Sequence, residues 1–162
     1  MDIEASHASL VRCSFERNIG DQGGAVVAND SRARFQDCIF KDNEALVGGG
    51  GMVAVLGSQV TLQNTQFVSN IAGFDGGGGI SVAWDSQVTV QSARFIRNTA
   101  GPNGGGGMII NHGSTVNVSN AFFGGNSGSG DGGAMAIGDD SDVTVSNSTI
   151  VGNHSPFSGV WS

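Results

Sequence analysis

"FKDNEALVGGGGMVAV" (residues 40–55) and "FVSNIAGFDGGGGISV" (residues 67–82) follow one plan. Each opens on Phe-x-x-Asn, passes through a short irregular stretch, and crosses a glycine run into apolar residues. Phe-x-x-Asn occupies 15–18, 40–43, 67–70, 95–98 and 123–126, and a sixth copy at 150–153 carries Ile150 in place of Phe. Its asparagines lie 25, 27, 28, 28 and 27 residues apart. A second landmark, Gly-Gly before an apolar residue, ends at Gly24, Gly51, Gly79, Gly107 and Gly133, spaced 27, 28, 28 and 26. Two landmarks that keep one period mark a repeat architecture.

Between the landmarks lie "ARFQ", "VTLQ", "VTVQ", "VNVS" and "VTVS". Period-2 alternation rich in Val and Thr reads as strand. A serine precedes each of these stretches by two residues, with Ser6, Ser31, Ser58, Ser86, Ser114 and Ser141 in one column. Each repeat thus predicts three short strands: one led by glycine, one of Val-Thr-Val type, and one around Phe. Three strands and three turns in 25–28 residues make one coil of a right-handed parallel β-helix, and the chain holds about five. Long 3.6-period segments are missing and glycine is abundant, which excludes helical repeats.

Parallel stacking places each side chain about 4.8 Å from its counterpart in the next coil. Asn18, Asn43, Asn70, Asn98, Asn126 and Asn153 are therefore expected to form a structural ladder of amides bonded to one another and to corner backbone. The phenylalanines form an internal stack beside it.

These motifs resemble the GG-A-[ILV] and F-x-x-N repeats of polymorphic outer membrane proteins, within the pectate-lyase-like β-helix class. "GGAV" at Gly23 and "GGAM" at Gly132 match the first motif, with "GGMV", "GGIS" and "GGMI" as variants. The resemblance covers nearly the whole chain. It implies a secreted or surface-displayed module, extracellular and adhesin-like. The chain departs from that family in scale, with no signal peptide and no membrane barrel. Residues 1–162 read as one β-helix domain, either a segment of a longer polypeptide or an assembly subunit whose ends are covered by neighbours.

Charge is sparse: 7 basic against 14 acidic residues give a net −7, which argues against nucleic acid as a partner. No apolar run approaches the ~18 residues of a membrane span. Cys13 and Cys38 each lie two residues before the Phe of their coil, in register, and fit either a disulfide or two stacked thiols. Later coils put Thr65, Ala93, Ala121 and Ser148 in that slot, so it selects small residues. Of four N-x-[ST] sequons, the one at Asn117 sits at an outward strand position and is the best candidate for glycosylation.

Catalytic β-helices gather carboxylates and bases on one strand face. Here the outward Val-Thr-Val positions hold Arg34 and Gln36, Thr61 and Gln63, Thr89 and Gln91, Asn117 and Ser119, and Thr144 and Ser146, with no carboxylate. Asp30, Asp85 and Asp140 share a corner with Gly57 and Gly113, as turn formers do. Asp139, Asp140 and Asp142 form the densest acidic patch, but their spacing matches no dedicated calcium loop. Asp21, Asp75 and Asp131 lie on the glycine-rich approaches. No catalytic residue, cofactor or metal site is assigned.

The glycine-led strand carries the remaining signal. Counting from each Gly-Gly, the outward positions are Val26/Ala28, Val53/Val55, Ser81/Ala83, Ile109/Asn111 and Met135/Ile137. A parallel strand that is apolar on both faces is normally covered on both. Val26, Val53, Val55, Ile109, Met135 and Ile137 are therefore expected to face a protein partner, a neighbouring subunit, or a loop of their own coil. The reading that follows is a non-enzymatic surface or filament module. The alternative is a polysaccharide-binding or polysaccharide-cleaving β-helix with its working residues on corner loops or outside this segment.

Overall fold

The computed structural model describes residues 1–130, 132–138 and 140–156. They wind into a parallel β-helix of four sheets, with six, six, six and five strands. The glycine-led sheet comprises Asp2–Glu4, Val26–Asn29, Met52–Val55, Ile80–Val82, Met108–Ile110 and Met135–Ile137. The Val-Thr-Val sheet comprises His7–Val11, Arg32–Gln36, Gln59–Gln63, Gln87–Gln91, Thr115–Ser119 and Asp142–Ser146. The phenylalanine sheet runs through Ser14–Glu16, Ile39–Lys41, Gln66–Val68, Arg94–Ile96, Phe122–Gly124 and Thr149–Val151.

Each complete coil adds a fourth strand to the three read from the sequence: Ile19–Gly20, Glu44–Val47, Ile71–Phe74, Thr99–Ala100 and Ser127–Gly128. It starts directly after the repeat asparagine. Its inward positions hold small residues, with Ala45, Ala72 and Ala100 buried. A strand this short, with alanine inside, shows no hydrophobic alternation.

Residues with positive φ turn the corners. Between the Val-Thr-Val and phenylalanine sheets they are Arg12, Asp37, Asn64, Ser92, Asn120 and Asn147. Between the glycine-led and Val-Thr-Val sheets, Asp30, Asp85 and Asp140 share the turn with Gly57 and Gly113. Buried polar ladders lock these corners. Asn18, Asn43, Asn70, Asn98 and Asn126 each donate Nδ2 to Oδ1 of the next asparagine at 2.8–2.9 Å, ending on Asn153. The amides of Asn43, Asn70, Asn98, Asn126 and Asn153 also donate to the carbonyl of the Phe one coil back. A second ladder runs through the column serines, where the N–H of Ser31 donates to Ser58 Oγ and that of Ser58 to Ser86 Oγ.

Beside the asparagines, Phe15, Phe40, Phe67, Phe95 and Phe123 stack with ring centroids 4.6–4.9 Å apart. Phe35 meets Phe15 and Phe40 edge-on. Glycine serves close approach in this core. A Cβ on Gly78 would lie 2.3 Å from the Gly106 carbonyl oxygen and 2.6 Å from the Thr99 nitrogen.

Strand pairing corrects the reading of the first and last coils. Val26 pairs with Met52 and Met135 with Met108, both inward columns, so Ala25 and Ala134 stand where the middle coils have Gly51 and Gly107. Val26 is fully buried in the core instead of facing outward. Met135 and Ile137 likewise occupy the inward register, paired with Met108 and Ile110, and Ile137 is exposed because it lies in the last coil. The outward residues of those coils are Val27 and Ala136, paired with Val53 and Ile109.

Cys13 and Cys38 are free thiols. Cys38 is buried, and its Sγ donates to the carbonyls of Gln36 at 3.2 Å and Leu10 at 3.5 Å. Burial pushes its thiol pKa up, against the lowering effect of hydrogen bonds with the Cys13 and Gln36 backbone. Asn117 is exposed on the Val-Thr-Val sheet, paired with Thr89 and Thr144.

Candidate ligand-binding groove

The outer face of the glycine-led sheet forms the floor of a groove of about 410 Å³. Val53, Val55, Ser81, Ala83, Ile109 and Asn111 line the floor, and Asn29 joins it at the first coil. Gln22, Val47, Gly48 and Asp75, on the glycine-rich approaches, form one wall. Leu56, Trp84 and His112, at the corner leading to the Val-Thr-Val sheet, form the other.

The glycine approaches explain the depth. They fold back over the sheet, and the N–H of Gly77 donates to Ser81 Oγ at 2.8 Å. A Cβ on Gly77 would stand 2.0 Å from the Ile80 carbonyl oxygen and 2.7 Å from the Ile109 nitrogen, so only glycine lets the loop lie this close. Val53 and Ile109 are left 4% and 5% exposed. The coil's own approach loop thus covers much of the apolar stripe.

The opposite wall is built at a conformational cost. Leu56, Trp84 and His112 adopt φ of +56°, +58° and +53°. Bulky side chains rarely occupy this region, which here is the conformation that turns the corners of every coil. Trp84 nevertheless stands 53% exposed. The His112 ring stacks on its indole, with centroids 4.2 Å apart and planes 15° from parallel. On the far side Asp75 Oδ1 accepts from Asn103 Nδ2 at 2.9 Å. Among the described residues Asp75 is the one carboxylate in the lining, and no lysine or arginine joins it there.

Three residues of the predicted partner stripe, Val53, Val55 and Ile109, therefore meet in this floor. Val26 lies in the core, and Met135 and Ile137 lie outside the groove in the last coil. The asparagine ladder, the two cysteines and Asn117 are not part of it. The sequence reading assigns no role to Leu56, Trp84 or His112, although each precedes its column serine by two residues, as Ser58, Ser86 and Ser114 show. Of the corner acids, Asp131 and Asp139 lie outside the described residues. Among the described residues, no group of three or more His, Cys, Asp or Glu is placed to hold a metal ion.

A family model described as a right handed beta helix region matches residues 2–161. The chain belongs to that family. The match fixes the hand of the parallel coil as right-handed. No curated protein and no solved structure matched. No helix among the described residues of this β-helix protein is long and apolar enough to cross a membrane.

Proposed function

We propose that this β-helix is a non-enzymatic, secreted or surface-displayed module that binds polysaccharide in the groove over its glycine-led sheet. The observation that carries the reading is Trp84, exposed and held at positive φ on the rim, with His112 stacked on it. Sugar rings present apolar C–H faces that pack on aromatic rings, and hydroxyls that pair with amides and carboxylates. Asn29, Asn111, Gln22 and Asp75 supply those polar groups around an apolar floor. The volume, about 410 Å³, lies within the range of small-molecule and cofactor sites.

Glycoside hydrolysis uses a pair of carboxylates. Among the described residues the lining carries Asp75 alone, which supports binding without cleavage. The resemblance of the repeats to those of polymorphic outer membrane proteins supports display outside the cell.

The test is a glycan-binding screen with the intact chain and with Trp84→Asn, a residue that tolerates positive φ. Binding that disappears in the variant, with the unfolding transition retained, supports the reading. Binding that is unchanged in the variant overturns the site.

A second reading, docking to a protein partner, draws on a different observation. Leu46, Val47, Ile71 and Phe74 of the fourth sheet are all exposed. Phe74 and Val47 pair in register, so the patch is continuous across two coils. Light scattering of the wild type and of Phe74→Ser tests it: an assembly that the substitution dissolves favours this reading over the first.

A further inference from the structure

We infer that the groove takes a neutral polysaccharide laid along the helix axis, about one pyranose per coil, and rejects polyuronates. The inference rests on the glycan-binding reading above and names the substrate class.

Geometry gives the direction. Asn29 pairs with Val55 on the second coil. Ala83 continues this outward column on the third coil, its N–H bonded to the Ala54 carbonyl, and Asn111 on the fourth, its N–H bonded to the Val82 carbonyl. Successive coils are about 4.8 Å apart, close to the length of one pyranose residue in an extended chain. Within the groove the column therefore runs from amide to amide with an apolar stretch between, over three coil spacings, and beyond Asn29 it continues to the carboxylate of Glu4. Leu56, Trp84 and His112 flank the last three of these coils, and because Trp84 and His112 stack from one coil to the next, this wall presents ring edges to a chain lying on the same axis.

Charge gives the class. A polyuronate lying here would place a carboxylate on nearly every ring. Among the described residues no ammonium or guanidinium lines the groove to receive it, and the one charged wall residue, Asp75, has the same sign. Removing a carboxylate from water without a cationic partner is costly, and the chain's net −7 adds unfavourable long-range repulsion. The arginines that could pair with it lie elsewhere. Arg32 and Arg34 stand on the Val-Thr-Val sheet, where Arg34 is bonded to Gln36 and Gln63. Hydroxyls both donate and accept, as the amides of Asn29 and Asn111 do, so a neutral sugar satisfies both ends of the column.

Affinity electrophoresis of the intact chain tests this, in gels carrying hydroxyethyl cellulose, glucomannan, xylan or polygalacturonate. The expected result is retardation by at least one neutral polymer, none by polygalacturonate, and loss of retardation in Trp84→Asn. Urea unfolding of the variant checks that the fold is kept. Retardation by polygalacturonate, abolished in Trp84→Asn, would overturn the neutral class and leave glycan binding standing. Retardation by none of the four polymers would overturn the inference together with the reading it rests on.

Discussion

Asn70 Nδ2 donates to Asn98 Oδ1 at 2.9 Å and to the Phe40 carbonyl at 3.0 Å, while Asn70 Oδ1 accepts both the N–H and the amide of Asn43. One buried side chain thus ties three coils together. Removing it leaves the Asn43 N–H without its acceptor and takes one bond each from the Asn43 amide, Asn98 Oδ1 and the Phe40 carbonyl, where water is excluded. Asn70→Ala and Asn98→Ala are each expected to destabilise by about 1–3 kcal/mol. Asn103→Ala, which loses an exposed bond to Asp75 and sets alanine at φ +59°, should cost no more than about 1 kcal/mol. Urea unfolding midpoints of the three variants decide it, and equal values would contradict the ladder's structural weight.

Glycines at two sites should respond very differently to the same added methyl group. At Gly78 a Cβ would stand 2.3 Å from one backbone oxygen and 2.6 Å from a backbone nitrogen, neither of which can rotate away. Gly78→Ala is expected to prevent stable folding. Gly57, at φ +75° with nothing within 4 Å, meets only the intrinsic penalty of positive φ, about 1–2 kcal/mol. Thermal unfolding of both variants distinguishes steric exclusion from conformational preference.

The period, the asparagine and serine columns and the phenylalanine stack were legible because each is one residue type recurring at one corner. The fourth sheet was not. Residues such as Ala45 and Ala72 mark no alternation, and the strand owes its place to the neighbouring ladder. Val26 and Met135 were misplaced for a different reason. Gly-Gly is an imprecise ruler when Ala25 and Ala134 can replace the last glycine of the run. Leu56, Trp84 and His112 share a position and no chemistry, so only the registered coil brings them together.

The same register reverses an expectation for the stripe. Were Val53 and Ile109 free to solvent, lysine there would spare the fold. At 4% and 5% exposure under the glycine approaches, a lysine would bury an unpaired charge or displace the loop. Ile109→Lys is expected to cost about 3 kcal/mol or more, by analogy with leaving a buried charge unpaired. Ile71→Lys, at a residue 47% exposed on the fourth sheet, should change stability by no more than about 0.5 kcal/mol. Chemical denaturation of both variants measures the contrast.

Cys38 gives the fold a pH dependence of known sign. Burial raises its pKa, so the folded chain holds the thiol proton more tightly than the unfolded chain does. That contribution is complete below the unfolded thiol value and is lost as pH rises through the raised folded value. Wild type should therefore lose stability on the alkaline side more steeply than Cys38→Ala, a residue the slot already accepts at Ala93 and Ala121. Unfolding midpoints of the two proteins between neutral and alkaline pH check it, and parallel curves would contradict it.

The groove's corner column should show a trade between stability and binding. Leu56 is exposed and held at φ +56°, a conformation that costs an ordinary L-residue roughly 1–2 kcal/mol and asparagine less. Leu56→Asn removes that strain and loses little packing, so it is expected to stabilise the fold by about 0.5–1 kcal/mol. Trp84→Asn relieves the same strain at φ +58° but gives up the stack with His112, about 0.5–1.5 kcal/mol for an aromatic pair. Its net effect on stability should be close to zero, while glycan binding is lost. Differential scanning calorimetry gives the first quantity and affinity electrophoresis the second. If both substitutions destabilised the chain by several kcal/mol, the column would be holding the corner together, and its bulky residues would need no ligand to explain them.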